Sequence, residues 1–194
     1  MNLREAERLA EDLVGWLAPA CAAVCAVGSV RRRRPEVKDV ELALLPAMQA
    51  DLFGGERPAP HLLDGALREL IASRRLAWHP EKPADGPRQK RLWVPALRAQ
   101  VELWIADGRE NWGNTLVIRT GSADFGHWLV TPRAHGGAMP AGMHHAGGYL
   151  WRGGERLSCP DEAAFFRALG IGEVPPPETR DLELARRLAR GMRP

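Results

Sequence analysis

Three acidic residues in strand-like surroundings are the part of this chain best suited to chemistry. Asp39 and Glu41 stand two apart in Asp39-Val40-Glu41, and Glu102 stands between Val101 and Leu103. Alternate side chains of a strand point the same way, so Asp39 and Glu41 share a face while Val40 enters the core. If the strand of Glu102 lies beside theirs, the carboxylates converge on one small volume. Left bare, such a group is unfavourable: two like charges about 4 Å apart repel by roughly 4 kcal/mol at an effective dielectric of about 20. A cation or a raised pKa must relieve it. Oxygen ligands without His or Cys suit Mg²⁺ or Mn²⁺. Two such ions can clamp the attacking and leaving oxygens of an in-line displacement at phosphorus.

A seat for phosphate stands just upstream. Gly28-Ser29 leads into Val30 and the arginines at 31–34, with Arg32 among them. Backbone N–H groups of a Gly-Ser turn are little obstructed by side chains, and guanidinium groups meet phosphate oxygens bidentately. Taken singly, each feature is ordinary: a solvated acidic face, a turn, a basic loop. Their succession within one short segment is what points to nucleotidyl transfer.

The elements that position these residues follow from periodicity. Residues 2–17 read as an amphipathic helix capped by Asn2 with Glu5 reaching back. Pro19 is expected to end it, with Ala18 already turned away from helix. A strand is expected near 22–28, another over 37–45, a helix opening at Pro60 and a short strand at 76–79. Residues 81–89 read as a loop because of their prolines and glycine. Strands over 91–94 and 98–106 form a hairpin across Pro95-Ala96-Leu97. Asp107-Gly108 breaks the pattern, which sets a palm-like domain at 1–107 and a second domain at 108–194. The second begins with helices near 111–120 and 123–131. A turn-rich stretch at 135–154 encloses a hairpin at Gly147-Gly148. A helix at 161–169, an extended Pro175-Pro176-Pro177-Glu178 and a basic helix at 179–191 complete it.

Composition sets the outer bounds. The chain has 194 residues and a net charge of +3, with arginine supplying nearly all the positive charge. That allows nucleic-acid binding without requiring it. The longest apolar stretch, 17–27, is too short to span a bilayer. Cys21, Cys25 and Cys159 form no zinc or disulfide pattern. Cys21 and Cys25 read as small buried residues. A cytoplasmic location without membrane contact is the expectation. His135, His144 and His145 have no strong metal-ligand spacing, and the tryptophans read as packing, with Trp128 a candidate for contact with a base or primer strand.

The residues quoted above resemble those of the nucleotidyltransferase superfamily, and within it the family X, polymerase beta-like DNA polymerases. Gly28, Ser29 and Arg32 match a Gly-Ser-x-x-Arg segment. Asp39 and Glu41 match the acidic pair on the next strand, and Glu102 matches a third acid on a later one. Arg119-Thr120-Gly121-Ser122 looks like the Thr-Gly-Ser turn between two thumb helices. The resemblance covers residues 20–180. It implies an α+β fold, a palm with a mixed sheet flanked by helices and a small helical and hairpin thumb. It implies two Mg²⁺ or Mn²⁺ ions held by Asp39, Glu41 and Glu102. A nucleoside triphosphate would bind at Gly28, Ser29, Arg32, Arg119, Gly121 and Ser122, with a DNA primer and template as partner. The reaction implied adds a nucleoside monophosphate to a 3′-hydroxyl and releases pyrophosphate. An RNA, protein or small-molecule acceptor is an alternative, as is a non-catalytic nucleic-acid-binding relative. The chain departs from the family's three Asp by carrying Glu41 and Glu102, each longer by about 1.5 Å. It has Ile118-Arg119 where an aromatic pair is usual and Gly126 where a base-contacting Asn is expected. No lyase or helix-hairpin-helix module of the kind carried by larger members is expected within these 194 residues. Arg180, Arg186, Arg187 and Arg190 are the candidates for gripping phosphates in their place.

Overall fold

Leu3–Leu17 form the first helix, α1, because Leu9, Ala10, Leu13 and Leu17 recur on one face and are buried together. Its start is a capping box: Asn2 Oδ1 accepts from Glu5 N at 3.0 Å, and Glu5 Oε2 accepts from Asn2 N at 3.0 Å. The structure, a computed structural model, describes residues 1–51 and 55–191. By its contacts the chain divides into two compact units, Met1–Gly108 and Arg109–Pro194. Both mix helices with sheets, so the architecture is α+β.

In the first unit α1 is followed by β1 (Cys21–Ala26), α2 (Gly28–Arg31), β2 (Asp39–Pro46), β3 (Met48–Ala50), β4 (Glu56–Pro58) and α3 (Pro60–Ala72). Then come β5 (Ala77–Trp78), β6 (Ala84–Asp85), β7 (Gln89–Val94) and β8 (Ala99–Ile105). The main sheet runs β1-β2-β8-β7-β5, with β6 also on β7. It is mixed: β2 and β8 are parallel, while β1·β2, β7·β8 and β5·β7 are antiparallel. The parallel pair at the centre is possible because the chain between its strands includes α3, a crossover rather than a hairpin.

The sheet has two unlike faces. Val40, Leu42 and Leu44 of β2, Val101, Leu103 and Ile105 of β8, and Leu92 and Val94 of β7 form a core with the buried faces of α1 and α3. From α3 it takes Leu63, Leu67 and Leu70. Lys90 occupies a place on this apolar side and is 7 % exposed. Its Nζ lies 3.1 Å from Asp64 of α3 and 2.5 Å from Asp85 of β6. Burial alone would lower the Lys90 pKa, but the hydrogen bonds and charges of Asp85 and Asp64 outweigh it and raise the pKa. The alternate positions of the same strands carry Asp39, Glu41, Gln89, Arg91, Gln100, Glu102 and Trp104.

Four local expectations are corrected. Ala18 keeps helical dihedrals (φ −52°, ψ −39°), and Ala18–Ala20 form a 3₁₀ turn. Pro19 sits at the start of that turn, where its missing N–H costs nothing. The polar 81–89 segment is not wholly loop, because Ala84 and Asp85 pair with Arg91 and Lys90 on β7. Cys21 and Cys25 are half-buried, because β1 is the edge strand; burial still pushes the Cys21 thiol up to about 11. Pro177–Thr179 form a 3₁₀ turn across the end of the 175–178 stretch expected to be extended, and the helix expected from 179 begins at Leu182. The β3·β4 hairpin lies in a stretch with no periodic signal.

The second unit contains α4 (Trp112–Thr120), α5 (Ala123–Val130), β9 (Met143–Ala146), β10 (Tyr149–Arg152), β11 (Glu155–Leu157), α6 (Glu162–Ala168) and α7 (Leu182–Gly191). Val117, Phe125, Leu129, Leu150, Phe165 and Phe166 form its core. The expected hairpin is β9·β10, turning at Gly147 (φ 59°) and Gly148 (φ 82°), a backbone that favours glycine. A third strand, β11, extends it. Among the described residues no helix is long and apolar enough to cross a membrane.

Leu103, fully buried at the centre of β8, tests the first unit's core. Leu103→Ala should destabilise that unit by about 2–5 kcal/mol, read by denaturant unfolding. A loss within about 0.5 kcal/mol would place Leu103 outside a packed core.

Candidate active site

The parallel register of β2 and β8 sets Glu41 opposite Glu102 and Asp39 opposite Gln100. The antiparallel register of β8 and β7 sets Arg91 opposite Glu102 and Gln89 opposite Trp104. Paired residues of neighbouring strands share a face, so Glu41, Glu102 and Arg91 form one row across three strands. The expectation that the second acidic segment lies beside the first is met.

Each carboxylate has defined partners. Glu102 Oε1 accepts from Arg91 Nε at 2.7 Å and from Gln100 Nε2 at 3.1 Å, and its Oε2 accepts from Gln89 Nε2 at 3.1 Å. The same Gln100 nitrogen reaches Asp39 Oδ2 at 3.2 Å, so Asp39 and Glu102 lie within the reach of one amide. Glu41 Oε1 accepts from Trp104 Nε1 at 3.1 Å. Burial first, and the Glu102 charge second, push the Asp39 carboxyl above its ordinary value; Lys38, its own backbone and Arg91 pull the other way. The like-charge burden foreseen from the residue types is therefore present, and Arg91 partly meets it.

The Gly-Ser segment packs against this row. Gly28 has φ +59°, and a Cβ built on it would fall 1.8 Å from Glu41 Oε2. Glycine is required there on both counts. Val27 N donates to Glu41 O at 2.9 Å, which ties the start of the segment to β2. Residues expected as a Gly-Ser turn make one helical turn, Gly28–Arg31, entered through the left-handed Gly28 (φ 59°). Ser29 Oγ accepts from Arg32 Nη2 at 3.4 Å, so these two expected phosphate contacts lie together.

Arg119, Gly121 and Ser122 belong to the second unit and have clear local roles. Arg119 lies in the last turn of α4, and Gly121 is its C-cap. A Cβ on Gly121 would meet Phe125 Cδ1 at 2.6 Å. Ser122 caps α5, its Oγ accepting from Phe125 N at 3.2 Å. Burial, then the charges of Arg119 and His144, hold His145 below its ordinary pKa.

Two expectations in this unit are corrected. Arg180 is fully buried, 2.5 Å from Glu162 and over the Phe166 ring, so it grips no phosphate. Arg186, Arg187 and Arg190 of α7 are exposed. Trp128 is buried beside Phe125 and is not open to a base. His144 stacks on Trp151 across the β9·β10 pair.

Four residues of the site went unread from the sequence: Gln89, Arg91, Gln100 and Trp104. Strand alternation put Gln100 and Trp104 on the face of Glu102. Arg91 and Gln89 needed the hairpin register as well. Among the described residues no three His, Cys, Asp or Glu side chains are gathered so as to hold a metal ion; amide and guanidinium donors interleave the acidic row. No protein-family model matches the chain, and no curated protein does.

Two outcomes follow. Gly28→Ala should cost about 1–2 kcal/mol through the left-handed backbone alone and displace the Glu41 side chain; unchanged stability in thermal unfolding would contradict the close approach. Asp39 has a folded pKa above its unfolded one, so its penalty grows as pH rises through that interval and is complete above it. In chelator, Asp39→Asn should therefore raise Tm at neutral pH, and the gain should vanish below the ordinary carboxylate range. A gain independent of pH, or a loss at neutral pH, would refute the assignment.

Proposed function

We propose that the first unit is a nucleotidyltransferase palm and that the chain joins a nucleoside monophosphate, taken from a nucleoside triphosphate, to the 3′-hydroxyl of a nucleic-acid primer. The observation that carries this reading is the in-register pairing of Glu41 with Glu102, with Asp39 one alternation away and Gly28 against Glu41. An acidic row and a glycine-led helical turn thus meet on one side of the sheet. The remaining support is the resemblance of these residues, and of the Thr-Gly-Ser turn, to those of family X polymerases.

The donor set suits a hard divalent cation: oxygen ligands only, with burial and a neighbouring charge already disfavouring ionised Asp39. Asp39 and Glu41 would hold Mg²⁺ or Mn²⁺, and Glu102 would join them on release from its present donors. Such an ion, when bound, supplies charge neutralisation at the phosphates and lowers the pKa of an attacking hydroxyl. The chain's own part is positioning. Ser29, Arg32 and the backbone of the Gly28 turn would orient the triphosphate, and Glu102 would face the primer hydroxyl as proton acceptor.

The test is incorporation of labelled nucleotide into DNA and RNA primer-templates with Mg²⁺ or Mn²⁺. Wild type should extend a primer, and Asp39→Asn should lose at least about 100-fold in rate. Equal rates in the two proteins would refute the site. No incorporation, with salt-sensitive binding of DNA, would make the chain a non-catalytic binder. Transfer to protein or small-molecule acceptors alone would keep the chemistry and change the substrate.

A further inference from the structure

The donors around Glu102 are unequal. Gln89 and Gln100 are neutral amides, and either can turn its carbonyl inward without changing the charge of the site. Arg91 is a fixed cation. Its Nε donates to Glu102 at 2.7 Å, with the two side chains only 25 % and 10 % exposed. The far end of the guanidinium is occupied elsewhere, since Nη1 donates to Lys82 O at 3.4 Å. Arg91 therefore spans from the carboxylate row to the 81–89 segment and meets Glu102 through one nitrogen, not through the two-pronged contact that holds carboxylates most firmly.

We infer that Arg91 is the resident counter-cation of Glu102 and sets the affinity of the carboxylate row for divalent ions, Glu102 serving either the guanidinium or the metal. The inference rests on the proposed nucleotidyltransferase reading. Both Glu102 oxygens are engaged, so a metal can gain Glu102 only when an existing donor leaves. Of the donors, only Arg91 also repels the incoming ion. A largely buried pair broken on one side leaves a costly lone charge; a metal arriving as Arg91 departs leaves none on Glu102. Arg91 is thus a positioning residue: it holds Glu102 Oε1 and makes loading an exchange of cations.

The probe is Mn²⁺ alone, with binding measured by electron paramagnetic resonance of the free ion in wild type, Arg91→Gln and Arg91→Lys. Arg91→Gln keeps a donor and removes the charge, and should tighten Mn²⁺ binding by about tenfold or more. Arg91→Lys keeps the charge and should stay nearer to wild type. Equal affinity in all three, or weaker binding by Arg91→Gln, would overturn the inference while leaving the nucleotidyltransferase reading intact. Absence of Mn²⁺ binding in every protein, tested again with a nucleoside triphosphate present, would overturn both. A measurement on the unmutated chain removes dependence on variant folding: the NMR signal of Arg91 Nε–H should lose its exchange protection as Mg²⁺ is added. Continued protection while the amides of Asp39 and Glu41 report bound Mg²⁺ would overturn the exchange.

Discussion

Like charge brought together by a parallel strand pair is the constraint around which the first unit is arranged. β2 and β8 pair so that Glu41 faces Glu102 and Asp39 lies one step away. Their other faces carry Val40, Leu42, Val101 and Leu103, all fully buried. The acids cannot be relieved by slipping the register one residue, because that would turn the apolar set outward as well. Burial on one side of the sheet thus enforces crowding on the other. Trp104, Gln100, Gln89 and Arg91 share the polar side and give the carboxylates their donors.

The same logic explains the neighbouring elements. Gly28 must approach Glu41 closely and must take a left-handed backbone, so a single residue type satisfies both demands. Lys90 shows the converse arrangement on the apolar side, where one cation is enclosed by Asp64 and Asp85. In the second unit, buried Arg180 is matched by Glu162 in the same way. Each of these is charge held by an opposite partner. The acidic row differs in gathering three carboxylates, with Arg91 paired to Glu102 and the charges of Lys38 and Arg91 acting on Asp39.

Much of this was legible in residue order. Alternation in Asp39-Val40-Glu41 revealed both faces of β2, and the flanks of Glu102 placed it on a strand. The capping box of Asn2 and Glu5 and the Gly147-Gly148 turn were equally plain, because local hydrogen bonding and backbone freedom decide them. Partners set by register across strands were not legible. Arg91 reads as one more exposed arginine until β7 is aligned with β8. Arg180 reads as part of a solvated basic helix until Glu162 and Phe166 close over it. Trp128 sits near the Thr-Gly-Ser turn in sequence, yet the core claims it. Short pairings such as Ala84-Asp85 on β7 escaped because edge strands need no apolar rhythm of their own.

The central claim is that the polar side of β2 and β8 is a divalent-ion site beside a triphosphate seat. Anomalous diffraction from crystals soaked with Mn²⁺ and a non-hydrolysable nucleoside triphosphate tests it most directly. The account predicts a manganese peak in contact with Asp39 and Glu41, with the triphosphate against the Gly28 turn. Manganese bound elsewhere, or a nucleotide seated away from Gly28, Ser29 and Arg32, would contradict it.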